Sequence, residues 1–409
     1  MSILSLVLIL SAGRSAPVAA VLAAGLALRS FAGWLDQTKR VSLPWSGADS
    51  EVFYALAVQY SLSPIDAHMA ELSPQSSYFF AWFMGWIIRM FGPEYFYLRF
   101  INMIIGGFTA LFVYRSVLVM GGGVRTAFLA LCVFVFFPFT VILSSVFLRE
   151  SIIAFSISAA TLGMALYYFQ ARMSGLLIAV MSAMLGSLFH GAIAIVLLLF
   201  LCLLAFISPQ PRAFGLQTKS GVPGELRLIL GVCSMSALVY LVIYGEFSKI
   251  GSFATALDSI GQRFDRVSLR GAKGGSAYPE WLTGNIANPL YWVPRFIYFI
   301  AAPFPWDWRT LSDAASAVLG IFYVFLLYWS FRARSANPGF FVLFVIMFVC
   351  LFVFSLGTDN VGTAIRHRTK FFPLLLSVGM MGWILRPRAR GSDRFLASPT
   401  SSPRSSAIP

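Results

Sequence analysis

The chain has 409 residues, 58% of them hydrophobic and only 11% charged, with a mean hydropathy of +0.80. Soluble domains carry about 25% charged residues, so a water-soluble protein of this composition could not coat its own surface. The net charge of +14 is spread between apolar runs rather than gathered on a polar domain, and no nucleic-acid partner is read from it.

Apolar runs of roughly 17–25 residues recur along the whole chain, each long enough to cross a bilayer as a helix. They do not alternate in the ~10-residue segments that a membrane β-barrel needs. The fold expected is all-α: a polytopic integral membrane protein of about ten transmembrane helices plus interfacial helices in its outer loops. The opening "MSILSLVLILSAGRS" has no basic start before its apolar stretch, so a first span that is not cleaved is expected. In chain order the spans are 16–35, 97–119, 126–145, 150–169, 173–189, 191–207, 227–246, 313–331, 339–356 and 371–386. Two further apolar stretches, 77–92 and 289–303, are short or broken by proline and carry Arg89 and Arg295. Both are read as aromatic-rich helices lying in the interface. "MGGGVR" at 120–125 is read as a turn, because no strand precedes it to make a phosphate loop.

Basic residues orient such a protein. With both termini in the cytoplasm, the inner segments hold fourteen Arg and Lys against two acids, Glu225 and Asp393. Residues 1–390 then form one transmembrane domain with long outer loops at 36–96 and 247–312, and 391–409, rich in Ser and Pro, form a disordered cytoplasmic tail. The location expected is the inner (plasma) membrane.

Charge close to a bilayer is costly and marks function. On the outer side lie Asp49 and Glu51 in "GADSEVFYALA", Arg149 and Glu150 in "FLRES", His190 in "LFHGA", Arg295 beside "PFPW", and Arg366, His367 and Arg368 in "GTDNVGTAIRHRTK", taken as the last outer loop. An acid there can act as general base on a hydroxyl. Arginines at headgroup level can grip a phosphate and stabilise charge on a phosphate leaving group. Such a site fits an amphipath whose polar head joins a lipid chain through phosphate. Asp49 and Glu51 are the catalytic candidates. Arg149, Glu150, His190, Arg295, Arg366, His367 and Arg368 are the substrate- and phosphate-binding candidates. No GxxxxGK[ST], HExxH, GxSxG or paired CxxC is present. The four cysteines all lie inside apolar runs, as packing residues do. No cofactor and no metal is assigned, and a divalent metal is left open.

"GADSEVFYALA", followed by "SPQSSYFFAWFMGWIIRMFGPEYFYLRFINMIIGGFTALFVYRSVLVMGG" and "FLRESIIAFSISAATLGMALYYF", resembles the N-terminal half of GT-C-type glycosyltransferases of the protein-mannosyltransferase and aminoarabinose-transferase kind. The resemblance covers roughly residues 15–170. It implies that Asp49 is the base, that 77–92 is the interfacial helix and Arg99 the arginine after it, and that Arg149 and Glu150 open the fourth span. "SPQSSYF" replaces the family's "PPL", and no family motif is found in the second half. The family likeness implies a polyprenyl-phosphate-linked sugar donor and a glycan or lipid acceptor at the outer face of the membrane, in cell-surface polysaccharide or glycolipid synthesis. Two alternatives stay open. One is an O-antigen or exopolysaccharide polymerase or ligase acting on lipid-diphosphate-linked repeat units, which "GTAIRHR" and His190 would suit. The other is a transporter of lipid-linked sugars, against which stands the lack of repeated halves.

Overall fold

The computed structural model describes residues 15–64, 78–209, 278–283, 288–308 and 311–385, with a few isolated positions between 223 and 236. Most of the span expected at 227–246, most of the loop 247–312 and the tail 391–409 lie outside the described residues. The described chain is helical, with no strand among the described residues. The helices are α1 (Ala16–Gln37), α2 (Ala48–Leu62), α3 (Tyr78–Phe91), α4 (Tyr95–Val119), α5 (Val124–Phe136), α6 (Pro138–Ser145), α7 (Glu150–Gln170), α8 (Met173–Phe189), α9 (Ala194–Phe206), α10 (Trp292–Ala301), α11 (Leu311–Ala333), α12 (Pro338–Leu356) and α13 (Val361–Ile384).

Five of these, α1, α4, α7, α11 and α12, have the length and hydropathy to cross a membrane, which makes the chain a polytopic α-helical membrane protein. The span expected at 126–145 is two helices bent by 53° at Phe137–Pro138. Proline supplies no N–H and forces an extended residue before it, here Phe137 at ψ 122°. α8 and α9 match the expected spans 173–189 and 191–207 but have 17 and 13 residues. α3 and α10 coincide with 77–92 and 289–303, and their 14 and 10 residues fall short of the ~20 a crossing needs. "MGGGVR" makes the turn between α4 and α5, and Gly121, just past the end of α4, has φ 91°, where a side chain would be strained.

α4, α7 and α13 pack on one another at the centre. α7 buries residues on every side, as a helix that is apolar all round must. α8 lies against it along Gly175, Ala179, Ala183 and Gly186, a stripe at helical spacing, while Leu177, Met181 and Leu188 face outward. Small residues let membrane helices approach closely. A Cβ built on Gly163 of α7 would stand 2.5 Å from the Ala179 backbone nitrogen.

α13 corrects the sequence reading. The segment taken as a loop, 357–370, is helical from Val361, with the Asn360 side chain accepting from the Thr363 N–H at 2.8 Å as its cap. Arg366, His367, Arg368 and Lys370 therefore sit on a helix. Buried charge elsewhere is paired too. Arg99 meets Asp36 at 2.6 Å, and Arg29, inside α1, donates to Ser144 Oγ at 2.8 Å.

Candidate active site

Ser50, Phe53, Ala57 and Tyr60 form the buried face of α2, recurring at the spacing of one helical stripe. Phe53 packs edge-on against Phe80 of α3 with ring centroids 5.4 Å apart. The close approach continues at Gly85, where a Cβ would come within 2.9 Å of the Ala57 carbonyl. Ser50 Oγ pairs with Tyr95 OH at 2.6 Å, and Tyr54 OH donates to the Pro93 carbonyl at 2.5 Å. Burial, then the nearby Glu94 and Tyr95, push the Tyr54 phenol up, which keeps it a neutral donor. These contacts fix the first turn of α2. Asp49 sits there, near helix N–H groups that favour a carboxylate. Glu51, two residues on, is exposed and makes no side-chain hydrogen bond or ion pair with the described residues.

Asp49 meets Arg366 of α13, 317 residues away in sequence, in a close ion pair. The same guanidinium grips Glu150, the first residue of α7, with Nη2 at 2.7 Å and Nε at 3.2 Å from Oε1. Lys370, one turn further along α13, stands 3.9 Å from that oxygen. Exposure falls steadily along this line: 53% for the Asp49 side chain, 14% for Arg366, 2% for Glu150 and 1% for Lys370. The arrangement spends three of the five Arg366 N–H donors and leaves one on each terminal nitrogen. Glu150 and Lys370 also border a small cavity of about 30 Å³ whose lining includes Thr109, Thr140, Ser144, Ser151 and Thr369.

Arg149 precedes Glu150. Its Nη1 donates to the Phe189 carbonyl at the end of α8 at 3.2 Å, and its guanidinium lies 5.9 Å from the Phe53 ring centroid. Burial lowers its pKa, while Glu150 and Asp49 raise it and Arg366 lowers it further. His190 follows Phe189, and its ring centroid is 6.1 Å from that of His367, with both rings against Phe354. His367 Nδ1 lies 3.2 Å from Thr358 Oγ1.

The structure thus brings Asp49, Arg149, Glu150, His190, Arg366 and His367 to one end of the bundle. It engages Arg295 and Arg368 differently. Arg295 donates to the carbonyls of Leu356 and Thr358, at 3.3 and 2.7 Å, where α12 ends, and to Leu282 at 3.0 Å. Arg368 donates to Phe299, Ile300 and Ala302, at 3.3, 2.6 and 3.1 Å, where α10 ends. Each closes a helix C-terminus, where carbonyls lack partners and the dipole favours a cation. Arg366 and Arg368 stand about 200° apart around one helix, so they do not aim at one phosphate. Lys370 was not singled out from the sequence. Four residues after Arg366, it shares that residue's face once the segment is read as a helix. Among the described residues, no group of three or more His, Cys, Asp or Glu side chains converges as a metal site requires.

No protein-family model and no curated protein matches the chain. Among solved structures it is similar to the Archaeoglobus fulgidus oligosaccharyltransferase tethered through a disulfide bond to an acceptor peptide containing the NVT sequon. The two are 16% identical and align over 90% of this chain and 49% of that one, with a TM-score of 0.47. This chain spans about half the length of that protein.

Proposed function

We propose that the chain is a GT-C-like membrane glycosyltransferase that takes a sugar from a polyprenyl-phosphate carrier at the outer face of the inner membrane. Its product is a cell-surface polysaccharide or glycolipid. The observation that carries this reading is Arg366 held between the half-exposed Asp49 and the buried Glu150. A carboxylate open to the acceptor and a guanidinium with N–H groups to spare are what transfer from a phosphate requires. Three cations, Arg149, Arg366 and Lys370, face two carboxylates, and the positive surplus favours an anionic headgroup.

In this mechanism the acceptor hydroxyl oxygen bonds to the anomeric carbon as the bond from that carbon to the phosphate oxygen breaks. The phosphate leaves with the electron pair, and the sugar inverts. Asp49 takes the hydroxyl proton as general base. Arg366 turns from Asp49 to the phosphate when the donor arrives, which frees the carboxylate and neutralises the leaving charge. Glu150 and Lys370 position Arg366.

A second reading, polymerase or ligase chemistry on lipid-diphosphate-linked repeat units, is favoured by the convergence of Arg149, Arg366, His190 and His367. The variant Asp49→Asn separates the two. Under the first reading it slows transfer by roughly 10²–10⁴-fold, the usual span for losing a general base. Mass spectrometry of lipid-linked intermediates in cells carrying only the variant then shows the loaded carrier accumulating and one sugar missing from the product. Polymer formed at near-normal rate by the variant rejects the first reading and selects the second.

A further inference from the structure

Arg366 lies near the start of α13, and a second basic feature lies at its other end. Gly382 and Leu385, with Trp329, Arg332, Arg334 and Ser335 at the end of α11 and in the turn after it, line a groove of about 380 Å³. From residue 366 to residue 382 the helix rises about 24 Å, so most of a bilayer separates this groove from the candidate active site. We propose that the groove holds the phosphodiester headgroup of an anionic phospholipid.

Three observations point there. First, neither Arg332 nor Arg334 has a carboxylate partner among the described residues. The Arg334 guanidinium is nonetheless set in place, with Nη1 donating to the Phe331 carbonyl at 2.6 Å and the group stacked 3.3 Å from that ring's centroid. Second, Gly382 lets the backbone of α13 touch that of α11 at the Trp329 carbonyl, which closes the floor of the groove. Third, Ile321, Val324, Tyr328 and Phe331 make an exposed apolar stripe along α11 that ends at the groove. Ten residues of helix cover about 15 Å, the depth of one leaflet of a ~30 Å hydrocarbon core, so the stripe offers acyl chains a track below the headgroup. Basic pockets between membrane helices bind anionic headgroups on these terms.

The test uses the full chain in detergent, titrated with phosphatidylglycerol or phosphatidylcholine, with native mass spectrometry and thermal unfolding as readouts. Phosphatidylglycerol is expected to be retained over phosphatidylcholine and to raise the unfolding midpoint, as a ligand of the folded state does. Retention falls about fivefold for each arginine removed in R332Q and R332Q/R334Q. R332Q alone suffices should the double variant lose its fold, because Arg332 is exposed and its side chain makes no hydrogen bond or ion pair with the described residues. Glycerol 1-phosphate, at the same concentration, leaves the midpoint unmoved. Equal retention of the two lipids, equal retention by wild type and R332Q, or a shift reproduced by glycerol 1-phosphate overturns the proposal.

Discussion

Arg366 is held by two carboxylates of different kinds, and the difference sets what each substitution does. Glu150 is buried and takes two guanidinium nitrogens on one oxygen, with Lys370 behind it. Removing one partner of a buried pair costs about 3–5 kcal/mol, because the other charge stays in a low dielectric. Arg366 keeps Asp49, so E150Q is expected at the lower end, about 3 kcal/mol, read from thermal or denaturant unfolding in detergent. Lys370 then loses the carboxylate that faces it, so K370M in the E150Q background should recover part of the loss. Additive losses in that double-mutant cycle would show that the two side chains do not act on each other. Asp49 is half-exposed, and exposed pairs contribute about 0–1 kcal/mol. D49N is therefore expected to leave the unfolding midpoint close to wild type while it slows transfer by roughly 10²–10⁴-fold, a split that would assign Asp49 to chemistry rather than to folding.

At the scale of elements, the site depends on α8 lying close against α7, because the α8 carbonyl of Phe189 receives Arg149. That closeness rests on Gly163 facing Gly175 and Ala179. A side chain at 163 meets backbone atoms, which cannot swing aside as a flexible side chain would. G163L is expected to separate the pair and lose the monodisperse peak in detergent size-exclusion chromatography. L177A, on the outward face of α8, should behave as wild type. A G163L protein that elutes and unfolds like its parent would remove the close approach as a determinant of the fold. Much of this scale was legible in the chain. Apolar runs gave α1, α4, α7, α11 and α12 within a few residues, and "FLRES" marked the start of α7. The start of α13 was not legible, because its charges read as a solvated loop. What makes those charges tolerable comes from other segments: Glu150 for Arg366 and the α10 carbonyls for Arg368. Three-dimensional partners of that kind leave no local pattern in the sequence. The sequence did isolate Asp49, Glu150 and Arg366, but not that the three pair with one another, since pairings 317 and 216 residues apart have no periodicity to read.

For the whole molecule, the two basic features at opposite ends of α13 make sidedness a single question with two linked answers. α13 has 24 residues, about 36 Å of helix, against a hydrocarbon core of ~30 Å. The proposal takes α13 as crossing the membrane, which puts Arg366 and the Arg332–Arg334 groove, about 24 Å apart along it, in opposite leaflets. Short loops rich in Arg stay in the cytoplasm, and the turn after α11 carries Arg332 and Arg334 with no acid. On that rule the proposal places the groove at the anionic inner leaflet and Asp49 outward, where it needs a lipid-linked donor. Thiol labelling tests both ends at once. With Cys132, Cys202, Cys233 and Cys350 replaced by Ser or Ala, E51C reports on the active-site end, because Glu51 is exposed beside Asp49 without contacting Arg366. S335C reports on the groove. A membrane-impermeant maleimide added to intact cells is expected to label E51C at once and S335C only after the membrane is opened. The reverse pattern would place Asp49 on the cytosolic side and end the outer-face mechanism, while leaving the groove as a lipid site of the other leaflet. Labelling of both positions in intact cells would contradict the span of α13 itself, and with it the separation on which both proposals are built.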